Sequence, residues 1–303
     1  MNFMIWFQAI VNIGLPIFFL WRLYKADYVS KRLWIVEWVS IAMFIGYIFV
    51  LSPWHMFIYY FRYLWLLLFV IVSIISYKRI RDIPKKGPEK DGSYKFSIGL
   101  SAVLALYFGL LMSFGLSGYI NKDHAEAIEL DFPLKNGVYS VGHGGAHTSI
   151  NYHHSHESQK YANDILQINW LGLRANGLTP SELGQYTIYE SPLYSPCTGK
   201  VTAAVDQYED IPPIKTESEV EEPAGNHVII SCKNAEVLIA HIKPNTVAVA
   251  EGDEVVSGDL IGEVGNTGNT TEPHLHIHAE RDGEGIPITF DGRFLKRNSL
   301  VFN

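Results

Sequence analysis

Apolar residues are spread very unevenly along this chain of 303 residues, and four long apolar runs fall within its first 120. The runs are Phe3 to Trp21, Leu33 to Ser52, Met56 to Tyr77 and Phe96 to Ile120. A helix needs about 20 such residues to cross a bilayer, so the runs predict an N-terminal four-helix transmembrane domain over residues 1–120. Pro16 lies inside the first run, which a membrane helix tolerates when neighbouring groups satisfy the freed carbonyl. A cleaved leader carries positive charge ahead of its apolar stretch, and Met1-Asn2 offers none.

The charges flanking the runs predict an orientation. Arg22, Lys25, Lys31 and Arg32 lie between runs one and two, and Lys78, Arg79, Arg81, Lys85, Lys86, Lys90 and Lys95 lie between runs three and four. The link around Pro53-Trp54-His55 has no Lys or Arg. Basic loops stay cytoplasmic. The expected setting is therefore a cell membrane crossed several times, with the lipid bilayer as partner and both the N-terminus and residues 121–303 extracytoplasmic. Within the runs, Glu37 and Arg62 sit near opposite ends, where their side chains are expected to reach the interface. Trp34, Trp38, Trp54 and Trp65 read as interfacial or packing aromatics. Gly99, Gly109, Gly115 and Gly118 suit close packing against another helix.

After residue 120 the pattern changes to short apolar pieces separated by turn residues. Val249 to Asn269 is broken by Gly252, Gly258, Gly262, Gly265 and Gly268, the signature of tight antiparallel hairpins. An all-β, antiparallel C-terminal domain follows. The net charge of -7 and the lack of a basic stripe exclude nucleic acid as a partner. Acidic residues gather from Asp206 to Glu222, among them Glu209, Asp210, Glu217, Glu219 and Glu221. That segment reads as a solvated loop or as a wall of a substrate groove. Cys197 and Cys232 both fall in this half, where a disulfide would persist outside the cytoplasm. Pairing would require their Cα atoms to come within about 7 Å.

The stretch Thr271-Glu272-Pro273-His274-Leu275-His276-Ile277-His278 carries the chemistry. Alternation along a strand puts His274, His276 and His278 on one face. Imidazoles sharing a face can hold a metal ion and serve its chemistry.

Four ordered blocks then resemble the lysostaphin/LytM-type zinc endopeptidases that cut peptidoglycan: Gln159 to Ile165, Ser195 to Val201, Gly225 to Ile230 leading into Val237 to Ile242, and the hairpin with Pro273-His274-Leu275-His276. The resemblance runs from about residue 137 to 288. It implies a bacterial cell membrane, a LytM-like β domain with an open groove, one Zn2+ ion, peptidoglycan peptides as substrate, and Asp164 and His276 as metal ligands. Lys160 occupies the position where the family's first ligand histidine is usual, and a protonated lysine has no lone pair to give. The substitute comes from Asn151-Tyr152-His153-His154-Ser155-His156. His153 is placed first by its resemblance to a branch with an Asn-Xaa-His block ahead of the Asp strand, then His156, then His154. The resemblance further implies that His241 and His274 are catalytic without binding metal. It gives no role to His278 or His227, for which packing or surface positions are expected. His143 and His147 read as parts of a groove-lining loop.

The function implied is a membrane-anchored zinc endopeptidase acting on peptidoglycan. A second class is a catalytically inactive LytM-like domain that binds and regulates a cell-wall hydrolase; retention of Asp164, His241, His274 and His276 speaks against it. A membrane protein partner remains open, but the cytoplasmic loops are too short for a signalling domain. A biotinyl or lipoyl carrier would present a lysine at its hairpin, and none lies between Pro244 and Gly292.

Overall fold

A computed structural model describes residues 2–88, 91–121, 123–213 and 222–303. Lys90 of the second basic loop and Glu217, Glu219 and Glu221 of the acidic segment lie outside the described residues. The chain forms two units. One comprises Met1–Ser52 and Tyr60–Leu116, the other Pro53–Tyr59 and Ser117–Asn303.

In the first unit, four helices among the described residues are long and apolar enough to cross a membrane: Ile5–Lys25, Lys31–Leu51, Phe61–Arg79 and Gly92–Ser117. The first is two α-helices, α1 (Asn2–Ala9) and α2 (Leu15–Lys25), joined by a π-helical turn at Ile10–Gly14. Pro16 thus falls in the first turn of α2, directly after the π-helical turn. The others are α3 (Lys31–Leu51), α4 (Phe61–Arg79) and α5 (Gly92–Ser117). Ser30 caps α3 by accepting from the Leu33 N–H at 3.2 Å. The third helix opens at Phe61, five residues later than the apolar run, because Pro53–Tyr59 folds with the second unit.

The two ionisable side chains within the apolar runs, Glu37 and Arg62, are both buried and partnered. Glu37 is buried and takes an ion pair from Arg22 at 2.5 Å. Arg62, also buried, donates to Phe49 O at 3.0 Å and stacks over the Phe49 ring at 4.0 Å. Pairing inside the bundle avoids the cost of an uncompensated buried charge. Trp34 and Trp38 act as packing aromatics, donating from their indole N–H groups across to Ser76 and Ser73 of α4 at 2.7 and 2.8 Å. Of the glycines in α5, Gly115 and Gly109 face α3: a Cβ at Gly115 would sit 2.7 Å from Leu51, and one at Gly109 3.3 Å from Met43, whereas Gly99 has no neighbour within 4 Å and does not serve the close packing expected of it.

The second unit is antiparallel in nearly every pairing. Its strands are β1 (Ile128–Leu130), β2 (Val138–His143), β3 (Asn163–Ile168), β4 (Pro192–Tyr194), β5 (Gly199–Val205), β6 (His227–Cys232), β7 (Ala235–Ala240), β8 (Glu254–Val255), β9 (Leu260–Glu263), β10 (Leu275–Arg281), β11 (Glu284–Ile286), β12 (Ile288–Phe290), β13 (Arg293–Phe294) and β14 (Leu300–Phe302). The main sheet runs β14-β2-β3-β10-β7-β6-β5-β8, with β11 added to β10. A small sheet, β1-β12-β13, contains a parallel pair, β1 with β12. Alternation puts Ile165, Val228, Ile230, Val237, Ile239, Leu275 and Ile277 in one fully buried core. Cys197 and Cys232 are bonded, with Cα atoms 6.0 Å apart, tying the approach to β5 to the end of β6.

Register is what positions the site. In the centre of the sheet, His276 of β10 lies opposite Asp164 of β3 on one side and Ala240 of β7 on the other. His241 therefore leaves the sheet one residue beyond the row that holds Asp164 and His276. A slip of one residue would turn every one of these side chains to the opposite face, where the apolar core forbids it.

Candidate metal centre

Asp164 is the hub. Its Oδ2 lies 2.9 Å from His153 Nε2, its Oδ1 lies 2.9 Å from His276 Nδ1, and His274 Nε2 stands 3.6 Å from Oδ1. Burial opposes its charge, but the surrounding His153 and His274 hold its carboxyl well below the usual range.

His153 arrives on a short turn, Tyr152–Ser155, which Asn151 organises. The Asn151 carboxamide oxygen accepts from the His153 N–H at 3.2 Å. Its nitrogen donates to Gly145 O at 3.0 Å and Ala162 O at 3.1 Å. Asn151 is fully buried. The histidine-bearing turn is thus pinned to the segment that leads into β3. His154 faces away, its Nδ1–H donating to Lys160 O at 2.8 Å, and His156 lines the neighbouring groove beside Tyr152. Burial works against a charge on His153, and Asp164 reverses it, leaving the ring raised from 6.5.

His241 and His274 form an adjoining pair with ring centroids 4.7 Å apart. Each is oriented through Nδ1, which donates to the Thr267 carbonyl from His241 and to the Glu272 carbonyl from His274, both at 2.8 Å. That leaves Nε2 of each ring as the reactive atom. His241 has φ 62°, a left-handed conformation that a residue with a side chain rarely adopts and that costs on the order of 1 kcal/mol or more. Thr267 is held in reach by a close backbone approach: a Cβ at Gly225 would lie 2.4 Å from Thr267 C, and one at Gly268 2.4 Å from Gly225 N. Burial, followed by His274 and His276, keeps the His241 imidazole far below the ordinary histidine value.

Three-donor groups occur twice among the described residues: His153, Asp164 and His276, and His241, His274 and His276, each set with ligand atoms within 4.8 Å of one another. The first joins two ring nitrogens and a carboxylate, a donor set suited to zinc with one position left open. His153, His241 and His276 line a groove of about 310 Å³ whose other walls include Tyr152, His156, Gln159, Pro223, Ala224 and Asn269.

The remaining histidines separate clearly. His227 is buried and donates to Gly225 O at 2.8 Å, away from the site. His147 caps a local turn, accepting from the Ser149 N–H at 3.1 Å. His143 sits on β2 opposite Asp164, and its Nδ1 accepts from the Tyr152 N–H at 3.0 Å and faces Arg297 at 3.1 Å. Burial and then Arg297 push it down to about 4. His278, for which sequence reasoning had no role, is buried with its Nδ1 2.9 Å from His276 Nε2. Its alternation with His276 was the available signal.

Residues 186–287 match the model of Peptidase family M23, a stretch that contains His241, His274 and His276 and begins after His153 and Asp164. Among solved structures, a zinc-containing peptidase from Vibrio cholerae is 24% identical over 33% of this chain and 26% of its own, with a TM-score of 0.26. The antimicrobial peptidase lysostaphin from Staphylococcus simulans is 22% identical over 35% and 41%, with a TM-score of 0.23. SpoIIIAH and SpoIIQ in complex give a match of 14% identity over 52% and 95%, with a TM-score of 0.34. The chain spans less than half the length of the first two.

Proposed function

We propose, from the peptidase family M23 match at residues 186–287, that this protein is a membrane-anchored zinc endopeptidase that hydrolyses peptide bonds in bacterial peptidoglycan. One observation carries the reading. Histidines from two separate segments converge on opposite oxygens of Asp164, each at 2.9 Å, and a second, carbonyl-oriented histidine pair adjoins them, with His241 lining the groove.

His153 Nε2, the Asp164 carboxylate and His276 Nδ1 would hold the ion. Zinc in such a site polarises a carbonyl and lowers the pKa of water toward about 7. The chain supplies the rest. His241, kept neutral by burial, offers Nε2 as a proton acceptor toward the groove. His274, with Nδ1–H already given to the Glu272 carbonyl, carries a proton on Nε2 only as an imidazolium, a form that the adjacent Asp164 carboxylate favours, and in that form it would donate to the developing oxyanion and then pass the Nε2 proton to the leaving amine. Ala224 and Ala240 leave room in the groove for a narrow peptide, and Tyr152 and His156 form its rim. The basic loops favour an outward-facing domain, where such a substrate lies.

The test is stoichiometry and cleavage together. Purified protein should hold one zinc per chain and release fragments from a peptidoglycan peptide; Asp164→Ala should lose both. A wild type that binds no zinc and cuts nothing would remove this reading and leave that of an inactive binding module.

A further inference from the structure

We infer that His278 is the residue that selects which nitrogen of His276 faces the metal. The inference rests on the zinc reading above and extends it to a side chain outside the ligand set.

A neutral imidazole carries one N–H and one lone pair, and only the lone pair can bind a cation. His276 places Nδ1 2.9 Å from Asp164 and Nε2 2.9 Å from His278 Nδ1. For Nδ1 to be the ligand atom, the proton must sit on Nε2. Buried there, that N–H requires an acceptor. His278 Nδ1 is the acceptor, which in turn fixes the proton of His278 on its own Nε2. The pair therefore has one arrangement compatible with metal at Asp164: the His276 Nε2–H donates to His278 Nδ1, and the His276 Nδ1 lone pair points toward Asp164.

The geometry leaves His278 little freedom. It lies two residues beyond His276 on β10, so the pleat puts both rings on one face. It pairs in register with Leu238 on β7, and only 4% of its surface is exposed. Partners that receive the second N–H of a ligating histidine commonly tune metal affinity by 10- to 100-fold.

The test uses the full-length protein in detergent, with zinc affinity measured by competition against a chromophoric chelator and folding followed by thermal unfolding of the metal-free form. His278→Leu fills the space without an acceptor and should weaken zinc binding about 10- to 100-fold. His278→Asn presents a carbonyl oxygen near the Nδ1 position and should recover most of that loss. Nitrogen-15 spectra of the wild type should show the His276 proton on Nε2. If the wild type holds zinc, and folded His278→Leu binds it as tightly, or folded His278→Asn binds as poorly as His278→Leu, the positioning role is overturned while the zinc site stands. If the wild type holds no zinc, the zinc reading itself has failed.

Discussion

His241 and His274 differ from His153, Asp164 and His276 in where their nitrogens point, and that difference has a measurable consequence. Both donate Nδ1–H to backbone carbonyls, which leaves Nε2 for chemistry. His241→Ala and His274→Ala should therefore retain zinc and lose about 10²- to 10⁴-fold in kcat/KM on a peptidoglycan peptide. Loss of zinc from either would move it into the ligand set. A second consequence concerns pH. Among the described residues, His55, His143, His241, His276 and His278 are all pushed below 6.5 by burial, whereas His153 is raised. A histidine with a depressed folded value contributes stability that is whole above pH 6.5 and lost as pH falls toward that value; His153 contributes with the opposite sign. Asp164 acts only below the ordinary carboxylate value of 3.8. Metal-free protein should thus lose stability between pH 6.5 and 4, with His143, at about 4, alone contributing on the order of 3 kcal/mol. His143→Gln, which keeps an acceptor for the Tyr152 N–H but takes up no proton, should flatten that decline in urea melts. Alternation made the His274, His276 and His278 face readable in the sequence. The role of His278 was not, because spacing places a ring on a face without saying which nitrogen meets which partner.

Strands and turns bring these residues together. The pairing of His276 with Asp164 and Ala240 follows from β3, β10 and β7 being neighbours, which no local pattern specifies. The glycine-broken stretch 249–269 announced short antiparallel strands but not their partners: the expected tight hairpins do not form, because β8 pairs with β5 and β9 with β4 rather than with each other, and the parallel pairing of β1 with β12 had no signal. The Tyr152–Ser155 turn depends on Asn151, whose carboxamide serves both His153 and the carbonyls of Gly145 and Ala162. Asn151→Ala should cost on the order of 3 kcal/mol by stranding these buried groups and should weaken zinc binding through displacement of His153. Unchanged zinc affinity in a folded Asn151→Ala variant would show that the turn is held by something else. Among the helices, the apolar runs located the four elements well. The exception is at Met56 to Tyr60, where hydrophobicity alone cannot separate a membrane helix from a segment buried in the β domain.

At the scale of the whole molecule, four membrane-length helices accompany a β domain that carries the groove. If, as the charge bias of the loops predicts, residues 121–303 lie outside, protease added to wall-stripped cells should remove that domain while a cytoplasmic marker survives. Protection of both would invert the topology and separate the groove from its substrate. The central claim is narrower: a single zinc ion belongs to His153, Asp164 and His276 and not to His241, His274 and His276, the other set within reach. Anomalous diffraction recorded on either side of the zinc absorption edge from crystals of the purified protein decides between them. The expected result is one peak bonded to His153 Nε2, the Asp164 carboxylate and His276 Nδ1. A peak bonded to His241 and His274, or none in a protein that cleaves its peptide, would contradict the account.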